Sequence, residues 1–424
     1  NTVTVSGVET VVGGADDDTV TLGAATTGTV VALGEGNDTL DLGADGATVT
    51  VHDVETILGG AGDDTVTFAT AAAEIDIAFG AGADTLVLGD FVNTVTVADV
   101  EAIVGGSADD TITLSGTITG APIDLGDGDD TLTLASGGST VTITNVETVL
   151  GGAGDDTVVL GAQADGLTID LGGGDNTLIF GDFINTLTVA NMATITGGST
   201  DDTVTLSTAV TAGSIDLAAG LDTLTLGDFD NTLTVSNVET VVGGASSDTV
   251  TLATQANGIV VDLGAGADAL TLGDFANTVT LSGVETVTGG ADVDILVFSG
   301  RATGSTIDLG AGADAVTLGD FVNTVTLSNV ETITGGASAD HVTLATAFVD
   351  GTIDLGGGGD SLTLGAFLNT VTVANIETVT GGASADTLVL ATQATGTTID
   401  LAGGADTLTP GALVNTLTLP HLET

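Results

Sequence analysis

NTVTLSNVETITGGASADHVTLATAFVDGTIDLGGGGDSLTLGAFL, residues 323–368, is one copy of a unit that fills the chain. Its opening motif, NTVTV or a near variant, starts at Asn1, Asn93, Asn185, Asn231, Asn277, Asn323, Asn369 and Asn415, while ATVTV at Ala47 and STVTI at Ser139 fill the two gaps. The spacing is 46 residues throughout, with neither insertion nor deletion. Such uniformity is what a solenoid requires, because each coil must lie in register on its neighbours and a one-residue slip would turn core side chains out to solvent.

Each unit resolves into five short strand candidates with an alternation of period two. At 18–22, DTVTL places Val20 and Leu22 on one side and Thr19 and Thr21 on the other, and Ile123 and Leu125 flank Asp124 in the same way. The density of Thr, Val and Gly argues against helix. The sequence therefore predicts an all-β fold, a parallel β-helix or β-roll solenoid of 46-residue repeats with two coils per repeat. The expected organisation is one continuous solenoid over residues 1–424, with repeats beginning at 1, 47, 93, 139, 185, 231, 277, 323 and 369 and a partial repeat from 415. The first and last ten residues share one phase of the repeat, as an excerpt of a longer array would.

Charge narrows the function classes. Asp and Glu total 58 against a single Lys or Arg, for a formal charge of -57. Salt bridges cannot hold such a chain together, and its self-repulsion opposes compaction unless cations neutralise it. Nucleic acid is excluded as a partner, since the phosphate-neutralising side chains are missing. An anionic membrane surface is disfavoured for the same reason, and membrane insertion is not expected because no apolar stretch is long enough. There is no cysteine, so neither disulfides nor thiolate metal clusters contribute.

Two families of glycine turn separate the strands. One reads GGxxxD from Gly13, Gly59, Gly105, Gly151, Gly197, Gly243, Gly289, Gly335 and Gly381; the other reads xGxGxD, as in LGDGDD at 125–130. Their terminal aspartates are spaced alternately by 20 and 26 residues, as Asp64, Asp84 and Asp110 illustrate. GGAGDDTVT at 59–67 and GGAGDDTVV at 151–159 resemble the nonapeptide of RTX proteins, a family of secreted bacterial repeats. The resemblance implies a β-roll in which Ca²⁺ sits between the turns of successive coils. Glycine allows carbonyl oxygens to turn inward beside an Asp carboxylate, and six or more hard oxygens then surround the ion.

On that reading the ligands come from Asp18, Asp38, Gly59, Gly60, Gly62, Asp64, Gly80, Gly82, Asp84, Asp110, Gly126, Gly128, Asp130, Gly151, Gly152, Gly154, Asp156, Asp202, Asp222, Asp248, Gly264, Gly266, Asp268, Asp294, Gly310, Gly312, Asp314, Asp340, Gly356, Gly358, Asp360, Asp386 and Asp406. The fourth-position Gly survives in only two of the nine GGxxxD turns, and Asn176 replaces one xGxGxD aspartate, so those sites are expected to be weaker. The alternative is that the turns are tight β-arcs in which Asp caps its own backbone.

Other ladders repeat without that motif. Glu9, Glu55, Glu101, Glu147, Glu239, Glu285, Glu331, Glu377 and Glu423 recur in VET-like triplets, read as solvated corners with second calcium ligands as the alternative. The IDL aspartates Asp124, Asp170, Asp216, Asp308, Asp354 and Asp400 are read as a solvated outer face, and Phe91, Phe183, Phe229, Phe275 and Phe321 as corner plugs.

Catalysis has little support. With one Arg and neither Lys nor Tyr, and with His52, His341 and His421 at three different phases, no side chains recur that would stabilise developing charge. The expected role is a secreted, calcium-bound structural element forming a rod, filament, sheath or surface layer outside a bacterial cell, self-associating and in contact with glycans or cell-surface components. The RTX resemblance implies export by type I secretion. The alternatives are an adhesin stalk, or a binder of ice or another flat lattice through outward Thr-x-Thr pairs such as Thr19/Thr21, Thr111/Thr113 and Thr131/Thr133, a pattern interrupted at Asp41, Val87 and Val159.

Overall fold

The computed structural model describes residues 1–421. Over those residues all regular structure is β, in 46 short strands. The alternation sets their facing: in Thr19–Leu22, Val20 and Leu22 are buried while Thr19 and Thr21 are half-buried.

The chain divides into two compact units, Asn1–Thr208 with Leu217–Gly220, and Ala209–Asp216 with Leu221–Thr424. In the first, successive strands alternate between two parallel sheets. Thr2–Val5, Thr19–Leu22, Thr39–Asp41 and Thr56–Gly60 pair in that order in one sheet, while Thr10–Gly14, Thr26–Gly34, Ala47–His52 and Thr65–Phe68 pair in the other. The second unit is built alike. Thr232–Ser236, Thr249–Leu252, Ala269–Thr271 and Thr286–Thr288 stack in one sheet, and Thr240–Gly244, Asn257–Gly264, Asn277–Ser282 and Asp294–Phe298 in the other.

This topology corrects the expected coil count. One coil consumes two strands and each repeat supplies five, so a repeat spans two and a half coils rather than two. The reason lies in the turns. Both glycine families and the VET corner each close one edge of a coil, so no strand remains to form a third face. Successive repeats therefore present the same motif on opposite sheets: Thr2–Val5 lies in one, Ala47–His52 in the other, and Asn93–Ala98 back in the first.

Between the sheets run ladders of aliphatic side chains. Val95, Ile112, Leu132, Val149, Ile169, Val189 and Leu206 are paired layer by layer and all at most 2% exposed. Each such side chain contributes about 1.5–3 kcal/mol by leaving water. One position along on the same strands, Thr94, Thr111, Thr131, Thr148, Thr168, Thr188 and Thr205 form a matching outward ladder. Among the described residues no helix is long and apolar enough to cross a membrane.

Candidate metal centre

The residue at the head of a strand, its first residue or the one just before it, stacks along a coil edge on its counterparts in the neighbouring layers. Along one edge these are Ala72, Asn93, Asp110, Asp130 and Glu147, and they are joined by hydrogen bonds from backbone to side chain. The N–H of Ala72 donates to Asn93 Oδ1 at 2.9 Å, that of Asn93 to Asp110 Oδ1 at 3.1 Å, that of Asp110 to Asp130 Oδ1 at 2.6 Å, and that of Asp130 to Glu147 Oε2 at 2.8 Å. Each acceptor thus caps a donor one coil away.

The predicted aspartates are these edge residues. Asp18, Asp38, Asp64, Asp84, Asp110, Asp130, Asp156, Asp202, Asp222, Asp248, Asp268, Asp294, Asp314, Asp340, Asp360 and Asp386 are all 5% exposed or less. Asp406 accepts the N–H of Asp386 at 2.9 Å in the same manner. Aspartates 20 residues apart are neighbours in one edge stack, as Asp64 N–H to Asp84 Oδ1 at 2.7 Å illustrates. The 26-residue step crosses to the opposite edge: Asp84 precedes a strand paired with Thr65–Phe68, and Asp110 belongs to a strand paired with Asn93–Ala98. Capping is therefore real, and through Oδ1 its target is the neighbouring coil rather than the aspartate's own turn.

Oδ1 is committed to a cap, and Oδ2 distinguishes the sites. In Asp18, Asp156, Asp294 and Asp340 it accepts the N–H of Gly14, Gly152, Gly290 and Gly336 at 3.2–3.4 Å, within the GGxxxD turn itself. In Asp38, Asp84, Asp130, Asp268, Asp314, Asp360 and Asp386 it is buried with no hydrogen-bond partner, while in Asp64, Asp110 and Asp248 it is buried against the N–H of Gly60, Gly106 and Gly244 at the limit of a hydrogen bond. A buried charged oxygen without a partner is costly. Burial, reinforced by neighbouring carboxylates and only partly offset by the capping N–H, pushes Asp84, Asp130, Asp268, Asp314 and Asp360 up to about 6. Burial also raises Asp64, Asp110, Asp156, Asp202 and Asp248. Asp18 is lowered, chiefly because the chain's amino terminus donates to it at 2.7 Å.

The glycines sit where the turns stack most tightly. A Cβ on Gly59 would lie 2.0 Å from the Phe79 carbonyl oxygen, one on Gly82 2.5 Å from that of Gly62, and one on Gly126 2.0 Å from that of Gly106. A Cβ on Gly60, Gly62, Gly80, Gly151, Gly152, Gly154, Gly264, Gly266, Gly310 or Gly356 would meet the neighbouring coil's backbone at 1.7–2.6 Å, and one on Gly128, Gly312 or Gly358 at 2.7–2.9 Å. Their first role is to let coils approach, which brings layers of carbonyl oxygen beside the aspartates.

The site is thus an all-oxygen donor set with orphaned carboxylate oxygens, which fits Ca²⁺ or another hard cation. Among the described residues no three His, Cys, Asp or Glu groups form a metal cluster, so an ion would complete its shell from backbone carbonyls and water. When bound, such an ion would neutralise the stacked carboxylates and tie adjacent coils together.

Three secondary readings change. The glutamates are not merely solvated corners: Oε2 of Glu55, Glu101, Glu147, Glu239, Glu285, Glu331 and Glu377 accepts the N–H of Asp38, Asp84, Asp130, Asp222, Asp268, Asp314 and Asp360 at 2.8–3.0 Å. Glu423 lies outside the described residues. The IDL aspartates pin coils: Asp170 accepts both the Gly172 N–H at 3.0 Å and the Asn191 side-chain amide at 2.6 Å. The phenylalanines are only half plugs, since Phe91, Phe183, Phe229, Phe275 and Phe321 remain 38–42% exposed.

Sequence reasoning passed over the leading Asn of the repeat. Asn93, Asn277 and Asn323 are buried; each amide donates both to the next coil's aspartate at 2.8 Å and to the carbonyl of the Phe two residues earlier. Strict recurrence at one phase was the available signal. His341 and His421 lie apart, against Ser361 at 2.7 Å and Asp400 at 2.8 Å.

No protein-family model matches the chain. No curated protein matches it either. Among solved structures it is similar to the X-ray crystal structure of a hyperactive, Ca²⁺-dependent, β-helical antifreeze protein from an Antarctic bacterium, at 18% identity over 72% of this chain and 80% of that one, with a TM-score of 0.16. A likeness of that size leaves the fold and the site to rest on the chain's own residues.

Proposed function

We propose that the chain is a calcium-binding structural solenoid that works outside the cell as a rod, filament, sheath or surface-layer element and carries out no catalysis. The observation behind this reading is the row of buried, unpartnered Asp Oδ2 atoms in a chain with 58 acidic residues and one basic one. Only cations from solution can balance that interior. Millimolar extracellular calcium suits modest sites of this kind, whereas a submicromolar cytosol would leave the chain unfolded until export. Polymers would follow from end-to-end or lateral contact among calcium-loaded copies. The test is far-UV circular dichroism and thermal melting with calcium and with chelator at low ionic strength, together with electron microscopy of the loaded form. Loss of β signal on chelation and polymers with calcium support the reading; a chelator-indifferent monomer refutes it.

One observation favours a second reading, recognition of ice or another regular lattice. Thr232, Thr249, Ala269, Thr286, Thr306, Thr326, Thr343, Thr363 and Thr380 are stacked in register on one sheet of the second unit, with a single Ala among them. Regular outward Thr is also the ordinary choice for a β surface. A thermal-hysteresis measurement on the calcium-loaded protein decides, and a flat result removes this reading.

A further inference from the structure

The N–H of the xGxGxD aspartate donates to Oε2 of the VET glutamate one coil on wherever both occur among the described residues. Asp314 N–H donates to Glu331 Oε2 at 2.8 Å, and Glu331 N–H returns a bond to the Asp314 carbonyl at 3.0 Å. The carboxylate of Glu331 therefore lies beside a buried aspartate whose Oδ2 has no partner. Two adjacent anions repel, and a protein gains by losing either one.

The chain instead loses both together. In the single repeat where the glutamate is absent, replaced by Ala193, the aspartate is absent as well, replaced by Asn176. If Glu served only to cap an N–H, its loss would not call for neutralising the aspartate. If the two were simply tolerated neighbours, removing Glu would make the aspartate easier to keep. Paired loss is the signature of two charges balanced by one cation.

Asn176 also marks where that cation would sit. Its Oδ1 accepts the Asp156 N–H at 2.9 Å, as each aspartate's Oδ1 does, so its Nδ2 occupies the place of Oδ2; it donates to the carbonyl of Asn191 at 2.9 Å. By the equivalence of the repeats, the other copies set a carboxylate oxygen in that place, toward the carbonyl that corresponds to that of Asn191, Asn329 in the case of Asp314. Two facing acceptors need a positive centre between them.

We infer that each repeat holds one divalent cation between the xGxGxD aspartate and the VET glutamate of the next coil, with a backbone carbonyl as a third oxygen, and that the site at Asn176 and Ala193 has been given up. This rests on the cation-binding reading above and adds Glu as a ligand at one site per repeat, where the turn motif alone gives two.

The experiment is Ca²⁺ stoichiometry on the full chain by equilibrium dialysis with atomic emission. Glu331→Gln and Asp314→Asn should each remove one ion per chain, and the double variant should remove the same one ion. Asn176→Asp with Ala193→Glu should add one ion, whereas Asn176→Asp alone should add none; this gain decides the matter if the removal variants do not fold. An unchanged count in Glu331→Gln together with no gain in the restored pair overturns the inference while leaving calcium on the aspartates. A wild-type chain that binds no calcium overturns both.

Discussion

The backbone N–H of Asp64 donates to Oδ1 of Asp84, 2.7 Å away and one coil along. One carboxylate oxygen thereby replaces the strand-to-strand bonding that a turn interrupts. The other oxygen of Asp84 is buried beside further carboxylates, and burial first, then these neighbours, hold the group near 6. Structural capping and ion chemistry are thus divided between the two oxygens of one side chain.

Acid should stabilise the metal-free protein. Burial pushes Asp84, Asp130, Asp268, Asp314 and Asp360 up to about 6 when folded, from the ordinary aspartate value of 3.8. The native state then binds more protons than the unfolded chain over that window, so stability is greatest near pH 4 and falls as pH rises through 6. Chelated protein, which loses its β signal at pH 7.5, is expected to recover part of that signal at pH 5, as far-UV circular dichroism would show. Replacing the five with Asn should flatten that slope, because ordinary surface acids have finished titrating by pH 5. A slope unchanged by the replacements would assign it to overall charge instead.

Gly59→Ala should be severe. Its Cβ would meet the Phe79 carbonyl oxygen at 2.0 Å, and backbone cannot yield as a side-chain tip can. Overpacking of this kind costs about 1–3 kcal/mol or more. Gly359→Ala, at a turn glycine with open space around its Cβ position, should stay within about 0.5 kcal/mol. Urea denaturation of the calcium-loaded protein compares the two directly.

Most of this was legible because a fixed period makes every residue type report its own position. Val20 and Leu22 inward, Thr19 and Thr21 outward, and Asp at the turn followed from alternation and recurrence. The coil count did not, because the five strands of a repeat carry no mark of which sheet each joins; only pairing such as Thr39 on Thr56 settles it. Asn93 and Glu147 were undervalued for a related reason. A polar residue that recurs looks solvated in sequence, and its burial depends on a partner 17 residues away.

The axial ladder should carry the fold. Leu86 is fully buried between layers, and Leu86→Ala is expected to cost about 2–5 kcal/mol. Thr85→Ala, the outward neighbour on the same strand, should cost a small fraction of that. A chemical-denaturation series with both variants checks the ratio, and equal losses would mean that the core does not lie between the sheets.

Charge along the strand ends is governed by a rule of one acid per pair. Asn145 donates to Asp124 at 2.8 Å, as Asn191 does to Asp170, Asn237 to Asp216, Asn329 to Asp308 and Asn375 to Asp354. Where the later position is acidic, at Asp53 and Asp99, the earlier one is Ala32 and Ala78; where it is Gly283, the earlier one stays Asp262. No repeat places acid on acid. Asn145→Asp should therefore destabilise by about 1 kcal/mol at low salt, and the loss should shrink as salt screens it. Asn145→Gly, which keeps the left-handed backbone and removes only the hydrogen bond, should cost less. Adding Asp124→Ala to Asn145→Asp recreates the pairing of Ala32 with Asp53 and should recover most of the stability. If Asn145→Asp proves neutral at low ionic strength, the pairing pattern does not arise from repulsion between coils.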